Sequence, residues 1–208
     1  MHRWSGHATV RFGRRSLAVV ASMTLVAVAV GVTVALRPVW SPTPSEDSVD
    51  AGFARDMARH HGQAVLMADI VRARTQKENL RYLATDILLT QQAQIGQMGG
   101  WLDAWGLNRT RSGVPPMAWS GMSMGGEMPG MASRDEVASL RTLDVKAADI
   151  RFLNLMIAHH RGGVHMAQAA LELDVTEPVR RLARAIVKSQ SAEIDAMADM
   201  LRELSEAA

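Results

Sequence analysis

The chain carries the same helical pattern twice, and this duplication constrains its fold more than any other feature of the sequence. Residues 52–106 align with residues 151–205 without a gap, at a constant offset of 99, with 17 identities in 55 positions. The matched residues recur at spacings of three, four and seven, which is the spacing of one face of an α-helix. Each copy is therefore predicted to form the same helical unit.

Helix start and stop signals divide each copy into two helices. Gly106 ends the second helix of the first copy, Asp144 caps the first helix of the second copy, and Thr176 precedes a helix with Pro178 in its first turn. Two hairpins with apolar stripes predict an all-α four-helix bundle, in line with a content of only 4% aromatic residues. The expected helices cover residues 50–74, 77–105, 144–173 and 176–206.

The sequence outside the repeats divides into segments of distinct composition. Ser133 and Glu136 have the spacing of a capping box and predict a short helix that leads to Leu143. The predicted segments are a basic cytoplasmic N-terminus (1–15), an apolar segment (16–36), a Pro-rich spacer (37–50), the first repeat (51–106), a Met-, Gly- and Pro-rich loop with the short helix (107–143) and the second repeat (144–208).

The apolar segment is predicted to anchor the protein in the cytoplasmic membrane. Residues 16–36 are 21 residues without a charge, and about 20 are needed to span a bilayer as a helix. Four arginines precede the segment, so the positive-inside rule places the C-terminal domain outside the cytoplasm as a single-pass protein. The alternative is a cleaved signal peptide, which would leave the domain secreted.

The basic pI of about 9.5 comes from the N-terminus alone. Five arginines lie in the first 37 residues, and without them 18 basic side chains face 21 acidic ones. No basic stripe remains to argue for nucleic-acid binding. The absence of cysteine excludes disulfides and thiolate metal sites.

Polar side chains are expected inside the bundle. His60 and His159 fall on the buried stripe, and His61 and His160 lie about 100° further round the helix, at its edge. Buried polar groups must be hydrogen-bonded, hydrated or coordinated, because leaving one unpaired costs roughly 1–3 kcal/mol. The layer is thus either a structural network that fixes helix register or a binding site. Its expected members are His60, His159, Gln91, Gln94, Gln190 and Glu193.

The residue types favour copper over iron. A ferritin-like di-iron site needs four core carboxylates, and the interior pattern here offers one, Glu193. Methionine three and four residues before a histidine pair places a thioether and an imidazole on one helix face, and such soft ligands suit Cu(I). The residues with this spacing are Met57 with His60 and His61, and Met156 with His159 and His160.

The loop is the second candidate site. Five of the 14 methionines lie within 15 residues that have too few aliphatic side chains to build a core. They are expected either to bind Cu(I) through thioethers or to dock as an apolar linker. Trp119 would cover an ion or anchor the loop, and His165 is a surface residue or an extra ligand. The five are Met117, Met122, Met124, Met128 and Met131.

The motif F-x-x-x-M-x-x-H-H-x-x-x-V-x-M-A, followed by L-A-x-x-I-x-x-x-Q-x-x-x-I-x-x-M, resembles the bacterial domain-of-unknown-function 305 family over residues 51–205. The resemblance implies a ferritin-like four-helix fold and an exported or membrane-anchored location. It also implies copper binding by Met and His residues of the repeats, which here are Met57, His60, His61, Met67, Met156, His159, His160 and Met166. Many members have Q-x-x-E-I in both second helices, and the first copy here has Gln94 in place of the glutamate.

We therefore expect an extracytoplasmic copper-binding protein that buffers or sequesters copper, with binding rather than turnover as its role. One alternative is a metal-dependent oxidoreductase that uses Glu193 and Asp56. The other is a structural or signalling bundle without a metal. The membrane and the metal ion are the expected partners, and homo-oligomerisation is left open.

Overall fold

The computed structural model describes residues 43–121 and 127–206. The predicted anchor at residues 16–36 and two of the loop methionines, Met122 and Met124, lie outside the described residues. Within the described ranges, no helix has the length and apolarity needed to cross a bilayer.

Helices form all the regular structure of the described residues, which confirms the predicted all-α class. The expected helix boundaries are met within a few residues. The 3₁₀ turn Ala118–Ser120 interrupts the loop. The five α-helices are α1 (Val49–Arg74), α2 (Glu78–Ala104), α3 (Arg134–Thr142), α4 (Val145–Leu171) and α5 (Glu177–Glu206).

Side-chain caps and one glycine explain most helix ends. Ser48 caps α1 by accepting the Ala51 amide, and Asp144 caps α4 by accepting the Ala147 amide at 2.9 Å. Ser133 and Glu136 form the predicted capping box of α3. Gly106, just beyond α2, has a φ of +71°, a left-handed conformation that a residue with a Cβ adopts at a cost.

The helices form two hairpins joined through their first members. Helix α1 packs along α2, α4 packs along α5, and α1 contacts α4. The buried apolar residues form two sets, which we name after their phenylalanines. The Phe53 cluster includes Met57, Met98, Met166 and Ile186, and the Phe152 cluster includes Met67, Ile87, Met156 and Met197.

The two clusters show that α1 and α4 run in opposite directions. In the Phe53 cluster the first half of α1 meets the second half of α4, and in the Phe152 cluster the halves are exchanged. The middle of each long helix falls between the clusters. The histidine pairs of the two repeats therefore meet where α1 and α4 cross.

Two equivalent aspartates tie each hairpin to the other. Asp50, at the start of α1, accepts the amide and the hydroxyl of Thr176 at 2.9 and 2.6 Å. Asp149, at the equivalent position of α4, accepts the hydroxyl of Thr75 at 2.8 Å. Each bond joins the first turns of one hairpin's first helix to the connection between the other hairpin's helices.

Replacing Thr75 by valine is expected to lower the free energy of unfolding by about 1–3 kcal/mol, because it leaves a buried carboxylate without its hydroxyl donor. Burial already raises the pKa of Asp149, and the Thr75 bond opposes that rise. Urea denaturation of Thr75→Val beside Thr85→Val checks this, since the Thr85 hydroxyl bonds only to a carbonyl one turn back in α2. Equal losses in the two variants would contradict the prediction.

Candidate functional site

Eight polar side chains separate the Phe53 cluster from the Phe152 cluster, and we call them the central polar layer. The four histidines are fully buried, and Gln91 and Gln190 are 2% exposed. Sequence placed His61 and His160 at the edge of the apolar stripe; that edge faces the second helix of each hairpin, so it is buried as completely as the stripe itself. The layer consists of His60, His61, Gln91, Gln94, His159, His160, Gln190 and Glu193.

The second histidine of each pair contacts the second helix of its own hairpin. His61 Nε2 lies 2.7 Å from Gln94 Oε1, and His160 Nε2 lies 2.6 Å from Glu193 Oε2. The repeat offset of 99 relates these two contacts residue by residue. The two contacts thus have the same geometry, but the partner of His61 is an amide and the partner of His160 is a carboxylate.

The first histidines meet each other at the crossing of α1 and α4. The ring centroids of His60 and His159 are 3.8 Å apart, and the ring planes are inclined by 31°. His60 Nε2 donates to the Pro129 carbonyl at 3.0 Å, because a carbonyl oxygen only accepts. Neither nitrogen of His159 has a hydrogen-bond partner.

Unpartnered nitrogens are the most unusual feature of the layer. The Nδ1 atoms of all four histidines are buried without a hydrogen-bond partner, as are the side-chain nitrogen and oxygen of Gln91 and Gln190. Native proteins leave few buried polar atoms unsatisfied, since each costs roughly 1–3 kcal/mol. Such a layer needs either ordered water or a bound group to satisfy these atoms.

Burial keeps the imidazoles of His60, His61 and His159 neutral near pH 7. Desolvation is the main cause that lowers the pKa of His60 to about 4, against the opposing effect of the Pro129 bond. Desolvation and the neighbouring His60 lower the pKa of His61 to about 3. The pKa of His159 is also well below its usual value because of burial. A neutral imidazole keeps one nitrogen lone pair, which is the form that coordinates metals.

The methionines of the repeats flank the layer on both sides. Met57 and Met166 lie in the Phe53 cluster, and Met67 and Met156 lie in the Phe152 cluster, all fully buried. The antiparallel crossing thus places one methionine of each helix above the histidines and one below. Their role as ligands stays a prediction.

The three loop methionines within the described residues do have a core to fill, contrary to the expectation from sequence. Met117 is fully buried and Met128 is 4% exposed, both in the Phe53 cluster, and Met131 packs against that cluster. The reason is that the loop folds back onto the helices. Asp56 accepts the Met117 amide at 2.7 Å and the Trp119 indole nitrogen at 2.9 Å, so Trp119 anchors the loop.

Gln63 holds the loop against α1, a role that the sequence analysis did not predict. Its amide forms two hydrogen bonds with the backbone of Ala132, at 2.8 Å to the carbonyl and 2.7 Å from the N–H. The equivalent position in the second repeat is Gly162. The repeats differ at 38 of their 55 aligned positions, so this difference gave no specific signal for the contact. His165, by contrast, is exposed on α4.

Pro129 and Gly130 lie directly against α4 and cover the layer at His60. A Cβ on Gly162 would come within 2.0 Å of the Pro129 carbonyl oxygen. Gly130 has a φ of +75°, and a Cβ there would lie 2.4 Å from the Ala158 carbonyl oxygen. Only glycine fits either position, and the close approach lets the Pro129 carbonyl reach His60.

A site built from imidazoles and carboxylates alone is not formed. Across residues 43–121 and 127–206, no three His, Asp or Glu side chains converge as metal ligands. A separate cavity of about 630 Å³ lies between α1, α2 and the loop, and none of the predicted ligands lines it. Its Arg55 and Arg111 are paired with Glu46.

Solved structures share this architecture. A DUF305 protein from Streptomyces coelicolor is 53% identical, covers 77% of this chain and 96% of its own, and superposes with a TM-score of 0.73. A DUF305 fragment from Deinococcus radiodurans is 38% identical over 78% of this chain and 99% of its own, with a TM-score of 0.66. CopM in its Cu(II)-bound form is 28% identical over 74% of this chain and 96% of its own, with a TM-score of 0.58. CopM has also been solved with Ag and with Cu(I) bound.

Sequence comparison extends to one viral relative and to a family. An uncharacterized protein of Acanthamoeba polyphaga mimivirus is 35% identical over 54 residues, which are 26% of this chain and 36% of that protein. The match thus spans about a third of the viral relative's length. Residues 50–201 match the family described as domain of unknown function DUF305. The doubled histidine motif, the helical hairpins and this match establish that the chain belongs to the DUF305 family.

Proposed function

We propose that this protein binds copper as Cu(I) in the central polar layer and buffers or sequesters it outside the cytoplasm. The observation that carries the proposal is the group of four fully buried histidines with unpartnered Nδ1 atoms. A bound ion would accept lone pairs that no protein group now uses. Bound copper would thereby offset the desolvation of the layer.

The surrounding side chains fit a soft ion. Met57 lies one turn before His60, and Met156 lies one turn before His159, so each thioether shares a helix face with an imidazole. Sulfur and imidazole ligands favour Cu(I) over magnesium or calcium, which require oxygen. The one carboxylate of the layer, Glu193, falls short of the four used by di-iron proteins.

The family supports the same assignment. CopM, whose structures contain Cu(II), Cu(I) or Ag, shares 25–28% of its residues with this chain over almost its entire length. We extend the copper ligand from CopM to this chain, together with a ferritin-like four-helix bundle as the finer description of its helices. The role proposed for this copper is storage or buffering rather than turnover.

The location outside the cytoplasm rests on the N-terminal sequence. Residues 16–36 would anchor the domain as a single span with the domain beyond the membrane, and cleavage would release it as a secreted protein. A copper buffer in that location would lower the free copper that reaches the membrane.

The test is an anaerobic Cu(I) titration of residues 43–208 against a chromogenic Cu(I) chelator. The wild type is expected to compete for copper, and His60→Gln together with His159→Gln is expected to abolish competition while helical circular dichroism is retained. His165→Gln, on the exposed face of α4, is the matched control and is expected to bind as the wild type does.

Two results would contradict the proposal. Failure of the wild type to compete would make the layer a purely structural network. Loss of binding in Met117→Leu with Met128→Leu, but not in the histidine variant, would transfer the site to the loop.

A further inference from the structure

We infer that the two halves of the central polar layer are unequal, and that Glu193 is a positioning residue that holds His160 with its Nδ1 lone pair ready for the metal. The inference rests on the proposed copper binding. It assigns the second repeat as the preorganised half of the site, and the first repeat as the adaptable half.

The contact between His160 and Glu193 fixes one tautomer. Their side chains meet at 2.6 Å, with the histidine fully buried and the glutamate 14% exposed. An ionised carboxylate only accepts hydrogen bonds, so the nitrogen that bears a proton in this contact is Nε2. Nδ1 then carries the lone pair, and this atom is buried without a partner. A proton on Nδ1 instead would leave a buried N–H donor unsatisfied.

The equivalent contact in the first repeat does not fix a tautomer. Gln94 offers an oxygen on one side of its amide and an NH₂ group on the other, so a rotation of the amide accommodates either tautomer of His61. At His61 only the cost of a buried, unpartnered N–H at Nδ1 favours the lone pair on that atom, so the preference is weaker than at His160, where the carboxylate also accepts only from Nε2. Binding a metal there requires selecting one form first.

The carboxylate also strengthens the ring as a ligand. Coordination at Nδ1 draws electron density from the imidazole and makes the Nε2 proton more acidic, and an anionic acceptor at 2.6 Å stabilises that change. Partial exposure of Glu193 keeps its charge in contact with solvent. The amide of Gln94 provides no net charge for the same purpose.

The repeat itself supplies a matched pair of near-isosteric variants. Glu193→Gln gives the second repeat the partner of the first, and Gln94→Glu does the reverse. We would measure the ¹⁵N chemical shifts of the histidine rings in the metal-free protein at pH 7, which report the tautomer. We would also measure Ag(I) affinity, with silver as a redox-inert substitute for Cu(I).

We expect the wild type to show His160 as a single Nε2–H tautomer. In Glu193→Gln this becomes a mixture, and Ag(I) affinity falls by about 10–100-fold, the usual effect of removing the partner of a ligating histidine. Gln94→Glu is expected to convert His61 to the Nε2–H tautomer and to bind Ag(I) at least as tightly as the wild type.

The outcomes separate this inference from the proposed function. A wild type that binds Ag(I), with a Glu193→Gln variant of equal affinity, would overturn the positioning role alone. So would a wild-type His160 that carries protons on both nitrogens. A wild type that binds neither Ag(I) nor Cu(I) would overturn the proposed function and this inference with it, whatever the tautomers are.

Discussion

Lowering the pH of the metal-free protein from 7 to 4.5 is expected to reduce its free energy of unfolding by roughly 2 kcal/mol for each of His60 and His61. In the folded protein their pKa values are about 4 and about 3, against 6.5 as the ordinary value. Between pH 6.5 and about pH 4, the unfolded chain binds protons at these two histidines and the folded chain does not. Acid therefore favours unfolding, and stability returns as the pH rises to 6.5.

Urea denaturation at several pH values measures how steeply the free energy of unfolding changes with pH, which we call the slope. In His61→Gln the slope between pH 6 and pH 4 should be smaller by about 1.4 kcal/mol per pH unit, whatever the variant's stability at pH 7. His165→Gln replaces an exposed histidine of α4 and should keep the wild-type slope. The raised pKa of Asp149 acts in the opposite sense in all three proteins and cancels in the comparison. An unchanged slope in His61→Gln would show that its ring is not held neutral by burial.

Replacing Gly162 by alanine is expected to displace the loop from α4 and to lower the free energy of unfolding by about 1–3 kcal/mol, the usual effect of overpacking. The added Cβ would lie 2.0 Å from the Pro129 carbonyl oxygen. Because the Cβ meets backbone rather than a flexible side chain, the backbone itself must move. The bond from His60 to Pro129 should be lost with the loop.

Gly62→Ala is the matched control, because it lies mid-helix in α1 with nothing within 4 Å of the added Cβ. That variant should be more stable than the wild type, by up to about 1 kcal/mol, since alanine favours the helix. Urea denaturation gives both changes, and hydrogen exchange at the Ala132 amide reports whether Gln63 still holds the loop. Slow exchange at Ala132 in Gly162→Ala would show that α4 moved instead of the loop.

The helices and their polar interior could be read from the sequence because both depend on periodicity. The spacing of Met57 and His60, repeated in Met156 and His159, fixed the face that each helix buries. The capping box at Ser133 has a purely local signal and was found for that reason. These features need no knowledge of which helix lies opposite.

The packing of the loop could not be predicted from sequence periodicity, because its contacts are made with residues far away along the chain. Asp56 was considered as a proton-handling group of an oxidoreductase, but it accepts two hydrogen bonds from residues about 60 positions away. Met117 takes a left-handed φ of +64°, which its residue type does not favour. Neither periodicity nor composition contains this information, so the loop methionines were expected to lack a core.

The exchanged bonds of Asp50 and Asp149 have a consequence for how the two repeats came to share one chain. Each repeat contributes an aspartate from its first helix and a threonine near the turn that follows, and each contribution is used by the other repeat. The aspartates are equivalent and the threonines lie two positions apart in the repeat alignment, so the arrangement approximates the self-complementary interface of a two-fold dimer. One repeat thus holds both halves of its own interface, and joining two copies turns an association that depends on protein concentration into an intramolecular one.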